Sequence, residues 1–219
     1  MQEIKIGEQF WATINLAEKT FSNGEVILEA KTPEEWVNAA NNKQPAWCYY
    51  ENDPANENEY GLLYNWYAVS DPRGLAPNGW RIPSEKDWVK LIRFHGGGIV
   101  TGASIKAIGR WPIIKMIDIP CEECANWFFI KKAFCKCEKC QNTRVLKPQS
   151  TGFYALAGGK RNAQGLFGRI KEGGYWWCST ECNEFTAFSR RLYHLDNFFS
   201  NYIYNKTYGL SVRCIRNEK

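Results

Sequence analysis

Five cysteines crowd one short stretch of this chain: Cys121, Cys124, Cys135, Cys137 and Cys140. Cys121-Glu122-Glu123-Cys124 and Cys137-Glu138-Lys139-Cys140 form two C-x-x-C pairs. Each pair can turn as a knuckle that aims two thiolates at one ion, so together they have the spacing of a structural, tetrahedral Zn2+ site. Cys135 is a fifth thiol that could replace Cys137. Trp127, Phe128 and Phe129 would pack the loop, which holds too little core to fold without the metal. The alternatives are free or disulfide-bonded thiols, or redox chemistry of the thioredoxin kind, for which a single C-x-x-C in a βαβ context is expected.

A second group of residues suits contact rather than catalysis. From Thr186 to Tyr208 bulky aromatics are mixed with small polar and charged residues, without sustained alternation. Stiff aromatic area beside adaptable hydrogen-bonding groups is the chemistry of a paratope. Tyr193, Phe198, Tyr202, Tyr204 and Tyr208 read as anchors. Ser189, Asp196, Asn197 and Asn201 read as polar contacts, with Arg191, His194, Leu195, Ser200 and Ile203 completing the surface. The expectation is that these side chains project from one face of a backbone held elsewhere, so that Tyr193, Tyr202 and Tyr204 matter for binding and not for folding. The plainer reading is a strand and loop with ordinary surface aromatics. His194 has no second His or acid at ligand spacing. His95 followed by Gly96-Gly97-Gly98 could suggest an esterase oxyanion loop, but no Gly-x-Ser-x-Gly nucleophile elbow accompanies it, and a glycine helix stop is the better reading. No catalytic residue is assigned.

Several elements could position these groups. Ile4 to Trp11 and Val26-Ile27-Leu28 read as short strands around a Phe21-Ser22-Asn23-Gly24 turn. Thr32-Pro33-Glu34-Glu35-Trp36 opens a helix with Thr32 as N-cap. Ser84 and Asp87 approach a capping box for a second helix whose apolar face is Trp88, Leu91 and Ile92. The dense run Tyr60-Gly61-Leu62-Leu63-Tyr64-Asn65-Trp66-Tyr67-Ala68-Val69 reads as core. After Thr151, glycine turns alternate with aromatic strands, and Ser211 to Ile215 reads as a last strand with alternating faces.

Composition sets the limits. The chain has 219 residues, with 10 Trp, 11 Tyr and 12 Phe, enough aromatic area for a sizeable core. The net charge of +5 comes from scattered Lys and Arg, which argues against a nucleic-acid partner. No apolar stretch of about 18 residues is present, so no membrane insertion is expected. Met1 to Phe21 carries charges and no apolar h-region, unlike a secretory signal. The odd count of 9 cysteines, clustered, favours metal over a secreted disulfide framework, although pairing among Cys48, Cys178, Cys182 and Cys214 stays open.

Six segments in order carry a family pattern: Ile6-Gly7 through Asn23-Gly24, Pro45-Ala46-Trp47-Cys48-Tyr49-Tyr50, Tyr60 through Val69, Gly74-Leu75-Ala76-Pro77-Asn78-Gly79-Trp80-Arg81-Ile82-Pro83, Gly174-Tyr175-Trp176, and Gly209-Leu210-Ser211-Val212-Arg213-Cys214. Together they resemble the Fibrobacter succinogenes major paralogous domain family. The resemblance implies an α+β, C-type-lectin-like fold related to that of formylglycine-generating enzymes, with the N- and C-terminal strands close together. The domain would comprise 1–110 and 146–219, interrupted by a zinc-knuckle insertion at 111–145. The Glu-Pro-Asn and Trp-Asn-Asp motifs of calcium-dependent sugar lectins are absent, as is a comparable context for paired active-site cysteines.

Some members of that family resemble the variable proteins of diversity-generating retroelements, in which template adenines are randomised. Rewritten Asn codons can become any residue except Lys, Glu, Gln, Met and Trp. Those five types make up roughly a quarter of this chain. Between Thr186 and Tyr208 they are represented by Lys206 alone. The expectation is a non-enzymatic display protein of a phage virion or bacterial surface, with residues 188–208 meeting a protein or glycan ligand on a cell. The rival readings are an enzyme of the formylglycine-generating type, to be revealed by thiol reactivity at Cys178, Cys182 or Cys214, and a structural surface protein assembled through the zinc insert.

Overall fold

The computed structural model describes residues 1–107, 109–111 and 151–217. The elements, in chain order, are β1 (Glu3–Ile6), β2 (Gln9–Ala12), β3 (Leu28–Glu29), α1 (Pro33–Asn41), β4 (Ala46–Cys48), α2 (Glu57–Tyr60), β5 (Leu63–Tyr64), α3 (Trp66–Val69), β6 (Trp80–Arg81), α4 (Glu85–Phe94) and α5 (Gly98–Ile105). After residue 151 come β7 (Gly158–Arg161), β8 (Phe167–Ile170), β9 (Gly173–Glu181), β10 (Thr186–Tyr193), β11 (Ser200–Asn205) and β12 (Ile215–Arg216). This is a mixed α+β architecture of small sheets.

Both long helices begin as their sequences require. Thr32 accepts from the Glu35 amide while Glu35 caps the Thr32 amide, and Ser84 and Asp87 do the same for α4. Trp88 and Leu91 are buried on the inner face of α4, and Gly96 and Gly97 end it at positive φ. In the outermost sheet β12 lies between β2 and β6, with Ile215 opposite Trp11, so the two ends of the chain are paired.

The sheet β9-β10-β11 divides the interior. On one face Tyr175, Trp177, Ala187 and Tyr204 join a core with Leu62, Tyr64, Trp66 and Val212. On the other, Trp176, Cys178 and Leu192 join Trp11, Trp88, Phe153 and Phe199. Gly173 to Cys178 is therefore buried on both sides, which is why its sequence reads as a continuous apolar run. At Gly174 a Cβ would meet the Trp176 ring at 2.2 Å, so the aromatic next to it packs where only glycine fits.

Ser211 to Ile215, expected as a last strand with alternating faces, enters a strand only at Ile215, in β12. All five residues are buried, because the segment threads between the sheets: Ser211 bridges Trp176 and Leu210 bridges Tyr64. Arg213 is fully buried there without a carboxylate. Its guanidinium donates to Asn15 Oδ1 (2.8 Å), Phe153 O (2.7 Å) and Ala12 O (3.0 Å). Burial lowers its pKa to about 9. Asn15 also accepts from Trp176 Nε1 at 3.0 Å and donates to Tyr60 O at 2.8 Å, tying four distant segments together.

The chain leaves for the cysteine-rich segment and returns at one place. Trp111 Nε1 donates to Ala155 O at 2.8 Å, and the Thr151 amide donates to Ser104 O at 3.1 Å. The expected zinc ligands Cys121, Cys124, Cys137 and Cys140 lie outside the described residues. The four described cysteines, Cys48, Cys178, Cys182 and Cys214, are free thiols.

Candidate ligand-binding face

The variable-looking segment consists of β10, a loop at 194–199, β11 and a turn into Gly209. The loop backbone is fixed from below by α5. The Gly102 amide donates to Asn197 O (2.9 Å), the Phe199 amide to Gly98 O (2.7 Å), and Lys106 Nζ to Asp196 O (2.6 Å). Burial depresses the Lys106 pKa to about 8, with Asp196 opposing the shift. A Cβ on Gly102 would come within 2.6 Å of Asn197 O, so this close docking requires glycine. Asp196 closes the loop itself, accepting from the Phe198 amide at 2.8 Å. Leu195 (57% exposed) and Phe198 (46%) point outward from this fixed frame. His194, Asp196 and Asn197 are half-buried beside them.

Strand alternation divides the remaining residues between two faces. Ser189 pairs with Tyr202 and Ala187 with Tyr204, so Ser189, Arg191, Tyr193, Ser200, Tyr202 and Tyr204 share the face that carries Tyr175 and Trp177. Asn201 and Ile203, both exposed, lie on the opposite face with Phe188 and Arg190. The expectation of one common face is therefore corrected: a period of two cannot hold consecutive strand residues on the same side.

Three of the expected contact residues are inside. Ser189 is fully buried and donates to Tyr202 O at 3.0 Å; Ser200 donates to Arg191 O at 3.3 Å; and Tyr204, 7% exposed, belongs to the core with Trp66 and Trp177. The two serines satisfy backbone carbonyls of the sheet they lie in, and Tyr204 sits where the face runs under neighbouring elements. Arg190 is also buried, paired with Glu85 of α4.

The outer end of that face brings together Tyr193, Tyr202 and Tyr208 over the buried Tyr175 and Tyr204. Ring centroids are 4.8 Å apart for Tyr202–Tyr204, 5.0 Å for Tyr204–Tyr208 and 6.4 Å for Tyr175–Tyr193. Cations lie among the rings. Lys160 Nζ, from β7, is 4.7 Å from the Tyr204 centroid, 5.1 Å from Tyr175 and 5.4 Å from Tyr208. Arg191 stacks on Tyr202 at 4.8 Å and Tyr193 at 5.5 Å. Burial, then the neighbouring Arg169 and Arg191, lower the pKa of Lys160. The surroundings hold the hydroxyls of Tyr175 and Tyr204 well above the usual phenol range, burial being the main cause. Sequence reading missed Lys160, Arg169 and Tyr175. Tyr175 was readable from parity with Trp177, whereas nothing local marks Lys160.

Lys206 has a different role. Its side chain is buried, its ammonium is paired with Glu181, donates to Glu184 O at 2.7 Å and lies 4.7 Å from the Trp66 ring. Its carbonyl accepts from the Trp66 amide at 2.9 Å.

The six sequence segments of the family pattern converge on this frame, with Asn15, Tyr64, Trp66, Trp176 and Arg213 in its hydrogen bonds. The pattern of the Fibrobacter succinogenes major domain matches residues 4–216. The chain belongs to that family. No curated protein and no solved structure matches it. In this member of the Fibrobacter succinogenes major domain family, the loop 194–199 exposes Leu195 and Phe198, and the tyrosine-lined end of the central sheet exposes Tyr202. Elsewhere, a cleft of about 490 Å³ between Asp71, Pro77, Trp80 and Asn217 carries no cluster of titratable groups comparable to it.

Proposed function

We propose that this chain is a non-enzymatic binding protein that displays residues 188–208 to a ligand on a cell surface, as the target of a diversity-generating retroelement on a phage virion or bacterial surface. The observation that carries this reading is the position of Lys206. It is the one residue between Thr186 and Tyr208 whose type randomised Asn codons cannot produce, and it is a buried anchor that ties the segment to Trp66 and Glu181. Around it, Leu195, Phe198, Asn201, Tyr202 and Ile203 are exposed on a backbone fixed by α5 and the central sheet. A surface that must tolerate change needs this separation between frame and side chains. In this reading the scaffold is C-type-lectin-like, and the insertion at 111–145 holds one structural Zn2+ through Cys121, Cys124, Cys137 and Cys140, which stabilises it or touches a partner.

The thiol-enzyme alternative receives little support. Burial pushes the Cys178 and Cys214 thiols up to about 12, so the nucleophilic thiolate is suppressed at both, and Cys182 is the one exposed thiol among the described residues. The deciding experiment is sequencing of the flanking DNA. A neighbouring reverse transcriptase and an adenine-rich near-copy of codons 188–208, differing from them at adenines of the copy, are expected. A flanking region with neither would overturn the retroelement reading.

A further inference from the structure

The tyrosine-lined end of the central sheet has an electrostatic feature that display alone does not require. Lys160, Arg169 and Arg191 converge on five tyrosine rings, and among the described residues a single carboxylate answers them: Glu172, which pairs with Arg169 at 2.8 Å. Lys160 and Arg191 have no carboxylate partner among the described residues. The Lys160 ammonium carries three donors, and its hydrogen bond within the protein is to the Tyr204 hydroxyl at 3.1 Å. Tyr202 is 42% exposed, and Tyr193 and Tyr208 are half-buried, so their rings border the cations at the surface.

Two half-desolvated cations without counter-ions attract an anion, and the low polarity of the surrounding rings strengthens that attraction. Flat aromatic faces beside them offer stacking area to a ring with an apolar C–H face. A sugar ring that bears a carboxylate or sulfate combines both features. An acidic peptide supplies the charge without a rigid ring to cover Tyr202. We infer that Lys160 and Arg191 bind the anionic group of an acidic polysaccharide whose sugar ring packs on Tyr202 and Tyr193. This deepens the display reading and rests on it: Arg191, Tyr193 and Tyr202 belong to the variable segment, whereas Lys160 is supplied by β7, outside it.

The test uses the full chain in surface plasmon resonance against dextran sulfate, oligogalacturonate, neutral dextran and polyglutamate. Binding to dextran sulfate, oligogalacturonate or both is expected, and the difference between these two identifies sulfate or carboxylate as the group recognised. Lys160→Met and Arg191→Gln should each weaken it about tenfold or more, since each removes charge-assisted hydrogen bonds. Lys160→Arg should retain most of it, and Tyr202→Ala should weaken it with an unchanged melting temperature. Equal binding to polyglutamate would show that the site reads charge alone, as for an acidic peptide, and would overturn the inference. So would equal binding to neutral dextran, or no binding to either acidic polymer. Failure of the display reading is distinguishable. If whole-cell binding is lost in Leu195→Ser with Phe198→Ser but survives Lys160→Met and Arg191→Gln, display stands and the acidic-sugar site falls. If none of these changes affects cell binding, both fall.

Discussion

Residues 60–69 and 193–208 are both dense in aromatics, yet one is core and the other is divided between core and surface. In the first, the polar groups of Tyr64, Asn65 and Trp66 are used inward. Tyr64 Oη donates to Glu18 O at 2.7 Å, Trp66 Nε1 to Cys178 O at 3.0 Å, and Asn65 bridges the Ala46 amide and Gln44 O. In the second, the inward bonds are made by Ser189, Ser200 and Lys206, while Tyr202, Phe198 and Leu195 extend outward. Aromatic content alone therefore does not mark core. What distinguishes the two regions is whether neighbouring chain covers both sides of the backbone. Charges divide in the same way: Asp87 is matched by Arg81 at 2.6 and 2.8 Å, whereas Lys160 and Arg191 are left to face the surface.

The sharpest way to break this contrast is Trp66→Ala. It empties a core site and orphans the Cys178 carbonyl, and thermal or urea unfolding should register a loss of about 3–5 kcal/mol. Unchanged melting would place Trp66 at a surface instead. Next in size is Tyr204→Ala, expected to cost about 2–4 kcal/mol because the ring is buried against Tyr175 and Lys160. This reverses the expectation from sequence that Tyr204 is dispensable for folding.

Lys206→Ala should cost about 1–3 kcal/mol, through the lost charge-assisted bonds and the exposed underside of Trp66. An unperturbed variant would remove the distinction between frame and display within the segment. Asp87 tests the paired charges. Burial raises its pKa, but Arg81 and the Ser84 hydroxyl and amide together bring it down to about 2. A depressed carboxyl stabilises the fold above its unfolded pKa, and that contribution fades as pH falls from the ordinary carboxylate range through about 2. It amounts to about 2 kcal/mol, so Asp87→Asn should show a flatter loss of stability over that window than the parent. The smallest effect belongs to Tyr202→Ala, which should change stability by less than about 0.5 kcal/mol. A large loss there would mean that the outer end of the sheet is core after all.

Much was legible along the chain. Both capping boxes, the glycine stop at Gly96-Gly97, the buried run at 60–69 and the family pattern rest on residues that act on near neighbours or on spacing within one segment. The mixed α+β class followed from the family resemblance, and the structure has it. Burial within residues 188–208 was not legible. Ser189, Ser200 and Tyr204 have the composition of contact residues, and their place inside depends on elements distant in sequence packing against the central sheet, as Trp66 and Lys160 do around Tyr204. Nor could the sequence show that Asn201 and Ile203 face away from Tyr202, because the strand boundaries that set the parity come from pairing with β10. Lys160 joins Arg191 and the tyrosines only after β7 packs against the central sheet, across about 30 residues of intervening chain, and loop closure over such distances leaves no local trace. The sequence determined which segments are helical or apolar, since those properties follow from neighbouring side chains. The tertiary structure decided which residues of 188–208 remain at the surface and which cations meet them, since burial depends on what the rest of the chain brings alongside.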